Sequence, residues 1–231
     1  MNSPGKLYLV PTPIGNLEDM TYRAVRMLKE VDLVLAEDTR VSLKLLQHYG
    51  IENRITSHHK FNEHKKVESI AGQIVDGKNV ALISDAGTPG ISDPGFLLVR
   101  QCVEKGIEIE CLPGATALIP ALAVSGLPSG KFSFEGFLPT KKGRKKQLSL
   151  LEGEQRTMVF YESPYRLVKT LQQLSEYFGE TRKCCVCREL SKLHEEIFRG
   201  SLSEAATHFG KKAVKGEIVV VVEGKGKKSG S

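Results

Sequence analysis

Five short apolar runs, at residues 7–10, 32–36, 55–57, 80–83 and 107–112, alternate with amphipathic stretches through the first half of this chain. The amphipathic stretches fall near 21–29, 42–49, 67–75 and 96–103. Strands joined through helices cannot pair as tight hairpins, so they assemble as a parallel sheet with helices against it. The run Val80-Ala81-Leu82-Ile83 is apolar throughout, as a strand buried on both faces requires. A parallel α/β domain is therefore predicted over residues 1–113.

The longest break in this rhythm follows the fourth run. Residues 84–95 read Ser-Asp-Ala-Gly-Thr-Pro-Gly-Ile-Ser-Asp-Pro-Gly, twelve residues where a strand-to-helix connection ordinarily needs a handful. Pro94 suits the first turn of the helix that follows. Long glycine-rich loops at the carboxyl ends of parallel strands are where open α/β sheets bind ligands, so this is read as a ligand loop. A second rigid loop, Pro11-Thr12-Pro13-Ile14-Gly15-Asn16, follows the first strand. Its prolines stand where the dinucleotide-binding fingerprint places glycines, so that fingerprint is absent.

Past Pro113-Gly114-Ala115-Thr116 the alternation loosens. Strands are expected at 132–135, 157–161, 183–188, 195–199 and 217–222, with helices near 117–124, 145–151, 165–177 and 203–208. More strands than helices predict a mixed sheet over 114–224, and Gly/Lys/Ser-rich residues 225–231 read as a flexible tail. Charge divides with the halves. Residues 1–113 carry 13 Lys/Arg against 15 Asp/Glu and residues 114–231 carry 20 against 12, so the second half suits a polyanion. Its densest cluster is Lys141, Lys142, Arg144, Lys145 and Lys146, either a solvated face or a phosphate-binding arm. No apolar run reaches membrane-spanning length and the first residues do not form a signal peptide. Five cysteines without disulfide spacing fit a reducing cytoplasm. Cys184-Cys185-Val186-Cys187 invites a metal reading but lacks a separated second ligand pair, so it reads as a strand of small apolar residues.

Two polar clusters remain. Glu37-Asp38-Thr39-Arg40 stands at the end of the second strand, and is either a helix cap with a surface ion pair or a polar group at the mouth of the sheet. His58, His59 and His64 fall within seven residues with Asn62-Glu63 between, but no matching carboxylate or cysteine set completes a metal site.

Eight motifs stand in one order. They are Pro11-Thr12-Pro13-Ile14-Gly15-Asn16-Leu17, Glu37-Asp38-Thr39-Arg40, Asn62-Glu63, the 84–95 loop, Pro113-Gly114, Phe134-Glu135-Gly136-Phe137-Leu138-Pro139, Phe160-Tyr161-Glu162-Ser163 and Gly216-Glu217. Together they resemble the tetrapyrrole methylase superfamily, and within it the branch that methylates small-subunit ribosomal RNA, from Leu7 to Gly224. The resemblance implies a two-domain fold with S-adenosylmethionine in the interdomain cleft and no metal requirement. It implies methyl transfer to the ribose 2′-hydroxyl of a cytidine in the decoding region of 16S rRNA, and a homodimer acting on that RNA or on the assembled small subunit. Chains of this branch usually continue past the Gly-Glu strand into a further helical segment, which bears on RNA docking more than on cofactor binding.

By the same resemblance Pro13, Ile14, Asp85, Gly87, Gly90, Ile91, Ser92, Thr116 and Ala117 line the cofactor site. Tyr161 faces the nucleoside side of that site, and Glu217 with Ile218 closes its far wall. Displacement at a sulfonium methyl relies on alignment of the hydroxyl and gains from a base that takes its proton. Glu37, Asp38, His59 and Glu63 are the candidates for that base, with Arg40 better suited to a phosphate. Two other readings stay open: a tetrapyrrole C-methyltransferase of the same fold, and a binding module without chemistry.

Overall fold

The computed structural model describes residues 4–59 and 63–226, with only the backbone at 63–65. The chain forms two compact units, Met1–Thr116 and Ala117–Ser231.

The first unit runs β1 (Lys6–Leu9), α1 (Tyr22–Glu30), β2 (Leu33–Ala36), α2 (Thr39–His48), β3 (Ile55–Ser57), α3 (Glu63–Val75), β4 (Val80–Ile83), α4 (Phe96–Glu104) and β5 (Glu108–Cys111). The five strands are parallel, in the order β3-β2-β4-β1-β5. The pleat sends alternate side chains to opposite faces, and both faces are covered. On one, Tyr8, Val34, Ala36, Ala81 and Ile83 pack with Ala24, Met27 and Leu28 of α1 and Leu46 of α2. On the other, Leu7, Leu33, Leu35, Val80 and Leu82 pack with Ile70, Ala71 and Ile74 of α3 and Leu98 and Cys102 of α4. The neighbours β1 and β4 thus send their connections to opposite faces. That is a topological switch point, where the loops after the two strands part and leave room for a ligand.

Element boundaries follow from caps. Thr21 accepts from the Ala24 N–H and starts α1. α2 begins three residues earlier than the apolar pattern indicates, because Asp38 caps it by accepting from the Arg40 N–H. Pro94 lies outside α4, whose cap is Gly95 at φ 131°. A Cβ on Gly95 would stand 2.6 Å from Leu82 Cδ2, so only glycine fits where the loop turns back over β4.

The second unit contains α5 (Leu118–Ser125), β6 (Phe132–Phe137), α6 (Arg144–Leu151), β7 (Thr157–Glu162), α7 (Leu167–Phe178), β8 (Lys183–Arg188), β9 (Glu196–Ser201), α8 (Leu202–Gly210) and β10 (Ile218–Val222). Its sheet is mixed, in the order β6-β7-β10-β8-β9, with β6 and β7 parallel and the other pairs antiparallel. One core holds Met158, Phe160, Val186, Val220 and Val222 against Leu148, Leu167, Leu171, Leu174, Leu202 and Phe209 of α6, α7 and α8. Cys184, Cys185 and Cys187 are buried strand residues of β8, and no group of three metal-ligating side chains occurs among the described residues. β6 runs to Phe137 through a bulge between Phe134 and Gly136, where Gly136 takes φ 59°. Among the described residues no helix is long and apolar enough to cross a membrane.

Candidate active site

The loops after β1 and β4 are locked together at the switch point. Thr12 and Gly87 exchange both backbone hydrogen bonds at 2.9 Å. The buried Thr12 hydroxyl donates to the Ser84 carbonyl at 3.0 Å, and the Ser84 hydroxyl donates to the Gly87 carbonyl at 3.2 Å. Thr88 Oγ1 donates to the Ala115 carbonyl at 3.3 Å, which ties the 84–95 loop to the segment leaving β5. Gly87 and Gly90 both take φ 83°, a conformation that glycine alone adopts without strain. A Cβ on Gly87 would contact Ile14 and Ala115, so Ile14, Gly87 and Thr116 stand together around one backbone turn. Ile91 and Ser92 are exposed at the tip of this loop, with Ser92 at φ 67°.

Three acidic side chains gather at the carboxyl ends of β2 and β4. The Asp38 N–H donates to Asp85 Oδ1 at 3.0 Å. The Glu37 carboxyl lies beside Asp85 as well. Burial, the Asp85 charge and the Asp38 charge push the Glu37 carboxyl above the usual glutamate range, while the Asp85 N–H and His59 oppose the rise. Partial burial of its carboxyl and the Asp38 charge raise Asp85 as well. Asp38 goes the other way. It accepts from Arg40 Nε at 3.0 Å and Nη2 at 2.6 Å, which holds its carboxyl down to about 2. Cap and ion pair, one of the two readings of the 37–40 cluster, therefore describes Asp38 and Arg40. Glu37 alone of the cluster keeps a raised carboxyl. His59 lies close enough to Glu37 to influence it, and the buried His58 donates its backbone N–H to the Ala36 carbonyl at 2.7 Å. Glu63 opens α3 with its side chain outside the described residues, as is Asn62.

Of the remaining predicted residues, Pro13 and Thr116 belong to the first unit, and Ala117 opens the second as the cap of α5. In the second unit Tyr161 of β7 lies opposite Val219 of β10 in the ladder, next to Ile218. Its ring meets Phe134 and Phe137 edge-on, with centroids 4.9 and 5.8 Å away. The Ile218 side chain is spent in the core, so any ligand contact there falls to its backbone. Glu217 is paired with Lys192 at 2.8 Å.

The basic run needs one correction. Lys141, Lys142, Lys145 and Lys146 are exposed, but Arg144 is buried. Its guanidinium donates to Gln173 Oε1 at 2.7 Å, the Pro139 carbonyl at 3.1 Å and Thr170 Oγ1 at 2.7 Å. The Thr170 hydroxyl donates to Glu162 Oε2 at 2.6 Å, and the other Glu162 oxygen pairs with Arg166 at 2.7 Å. Arg144 is removed from the candidate RNA contacts because its donors satisfy interior acceptors. Sequence reasoning also missed Thr12, which locks the two loops together, and Val41, Ser42 and Leu45 of α2, which line a cavity beside the loop after β1. The last three share a helix face at i, i+1 and i+4, a signal legible only once α2 is known to begin at Thr39.

Residues 6–206 match the profile of the Tetrapyrrole (Corrin/Porphyrin) Methylases. The chain is 51% identical over 221 residues to the ribosomal RNA small subunit methyltransferase I of Thermotoga maritima, spanning 96% of this chain and 99% of that one. The protein of the same name in Escherichia coli O157:H7 is 49% identical over 226 residues, spanning 96% of this chain and 79% of its own length. Among solved structures, the uroporphyrin-III C-methyl transferase of Thermus thermophilus, complexed with S-adenyl homocysteine, aligns with a TM-score of 0.64. That alignment covers 95% of this chain and 97% of the other at 22% identity, a likeness of fold.

Proposed function

This chain belongs to the tetrapyrrole (corrin/porphyrin) methylase family, and we propose that it methylates small-subunit ribosomal RNA from S-adenosylmethionine. The acceptor in this reading is the ribose 2′-hydroxyl of a cytidine in the decoding region. The observation that supports small-subunit ribosomal RNA as the substrate is near-half identity, over almost the whole chain, to proteins named for its methylation.

The residues at the switch point fit the cofactor. Gly87 and Gly90 at positive φ let the backbone approach a ligand, and nothing lies within 4 Å of a Cβ built on Gly90. Pro13 and Ile14 supply an apolar wall, and the Glu37 and Asp85 carboxyls suit a cationic sulfonium. S-adenosylmethionine supplies a methyl carbon made electrophilic by the positive sulfur. The chain's own work is to align the acceptor and to take a proton. Alignment contributes about 7–11 kcal/mol to barrier reduction in well-ordered reactions. Glu37 is assigned the proton: its carboxylate would accept the hydroxyl proton as the acceptor oxygen takes the methyl group and the carbon–sulfur bond breaks to leave a neutral thioether. A carboxyl raised by burial is a stronger base than Asp38, which Arg40 holds low. The four exposed lysines take phosphates. Lys145 and Lys146 lie in the first turn of α6, where the helix dipole disfavours cations, and a phosphate relieves that conflict.

The test offers labelled S-adenosylmethionine together with small subunits lacking the modification, naked small-subunit RNA, or a tetrapyrrole mixture. Label in either RNA-containing acceptor is expected. Label in the tetrapyrrole alone overturns the substrate assignment and retains the fold.

A further inference from the structure

We propose that the cavity between the loop after β1 and helix α2 receives the base of the acceptor nucleotide, turned out of its stack; this rests on the RNA-methylation reading. The cavity has a volume of about 390 Å³. Leu17, Val41 and Leu45 give it apolar walls, and Ser42, Lys44 and Asp85 bring polar groups. Four observations lead to a nucleobase.

The first is shape and chemistry. Pockets of a few hundred Å³ with apolar walls and few polar groups suit small flat ligands, and a base still paired in a duplex cannot enter one. The second is an orphan. Ser42 lines this cavity and is 2% exposed, and its buried hydroxyl finds no hydrogen-bond partner among the described residues. A buried hydroxyl without a partner carries a desolvation cost that the edge of a heterocycle would relieve. The third is rigidity. Asn16 accepts from the Glu18 N–H at 3.0 Å, and the Tyr49 hydroxyl donates to the Leu17 carbonyl. The wall opposite α2 is thereby formed before any ligand arrives, so little ordering cost falls on binding.

The fourth is position. Of the residues assigned to the cofactor, only Pro13 and Asp85 also line this cavity, which leaves it for the second reactant. Asp85 accepts from the Asp38 N–H and lies close enough to Glu37 for its charge to act on that carboxyl. A base held between Leu17 and α2 therefore leaves its ribose beside the carboxyl that takes the proton. Lys44 is exposed on the same helix and stands ready for a flanking phosphate.

Val41→Trp fills the cavity from a position that is 46% exposed, and Leu17→Lys puts a charge in its opposite wall at 41% exposure. Neither disturbs the buried core, and a thermal melt confirms that each variant folds. Steady-state transfer to small subunits is measured together with S-adenosylmethionine affinity by calorimetry. The expected result is a KM for the subunit raised about tenfold or more, with cofactor affinity unchanged. Ser42→Ala gives a smaller rise and blurs discrimination between cytidine and uridine at the target position. Unchanged KM in both cavity variants overturns the proposal. Cofactor affinity that weakens in step with KM also overturns it, since the cavity then belongs to the cofactor. If the wild-type protein labels no RNA, the RNA reading fails first and the base assignment with it.

Discussion

At Glu37 the chain keeps a carboxyl half-buried beside Asp85, whereas one residue on, Asp38 is pinned by the Arg40 fork. The two therefore respond oppositely to substitution. Glu37→Gln is expected to lower kcat by about 10²–10⁴-fold, the range of a lost general base. In the wild type, kcat should rise with pH through an apparent pKa above the ordinary glutamate value, because the base must be ionised to work. Burial and the Asp85 charge make ionised Glu37 unfavourable in the fold, so its contribution to stability falls as pH rises through that raised pKa. Glu37→Gln should accordingly melt no lower than the wild type at neutral pH. Asp38 has the reverse sign. Its carboxyl is depressed to about 2, so its stabilisation is complete above the unfolded value of about 4 and is lost as pH falls toward the folded value. Asp38→Ala should lower Tm at neutral pH, and its difference from wild type should shrink in melts taken at progressively lower pH.

At the scale of elements, α6 and the strand after it separate binding from stability. Charge reversal of Lys141, Lys142, Lys145 and Lys146 should weaken binding to all RNA sequences and reduce the salt dependence, by about one unit of slope for each phosphate no longer neutralised. These exposed positions should leave Tm nearly unchanged. Arg144→Met is expected to do the opposite. It strips partners from the Pro139 carbonyl and the Thr170–Glu162 pair and should cost about 1–3 kcal/mol in denaturant unfolding. The sequence made the parallel character of the first sheet and the mixed character of the second legible, since strand spacing and apolar continuity dictate them, but not the strand order of either. It could not separate Arg144 from its lysine neighbours, because burial of one cation depends on Gln173 and Thr170, some thirty residues away in the chain. The 84–95 loop was legible from its glycines and prolines, whereas its lock to Thr12 was not, because that bridge joins residues 75 positions apart. Asp38 looked equally like a cap and a functional acid, and only its fork to Arg40 resolves the two.

For the whole molecule, charge and chemistry divide between the halves of the chain. The acidic half, 13 Lys/Arg against 15 Asp/Glu, carries the raised carboxyls, and the basic half, 20 against 12, carries the exposed lysines. A protein that handles a cationic cofactor and a polyanionic acceptor needs both. The alignment with the Thermotoga maritima relative spans 99% of its length, so that relative carries no long further segment beyond the matched region. The most direct measurement digests small-subunit RNA to nucleosides after incubation with this protein and labelled S-adenosylmethionine, then separates the products by mass and retention. The expected result is label in 2′-O-methylcytidine with the wild type and almost none with Glu37→Gln. Label on a base carbon or nitrogen, or full transfer by Glu37→Gln, would contradict the assignment of a ribose hydroxyl activated by this carboxylate.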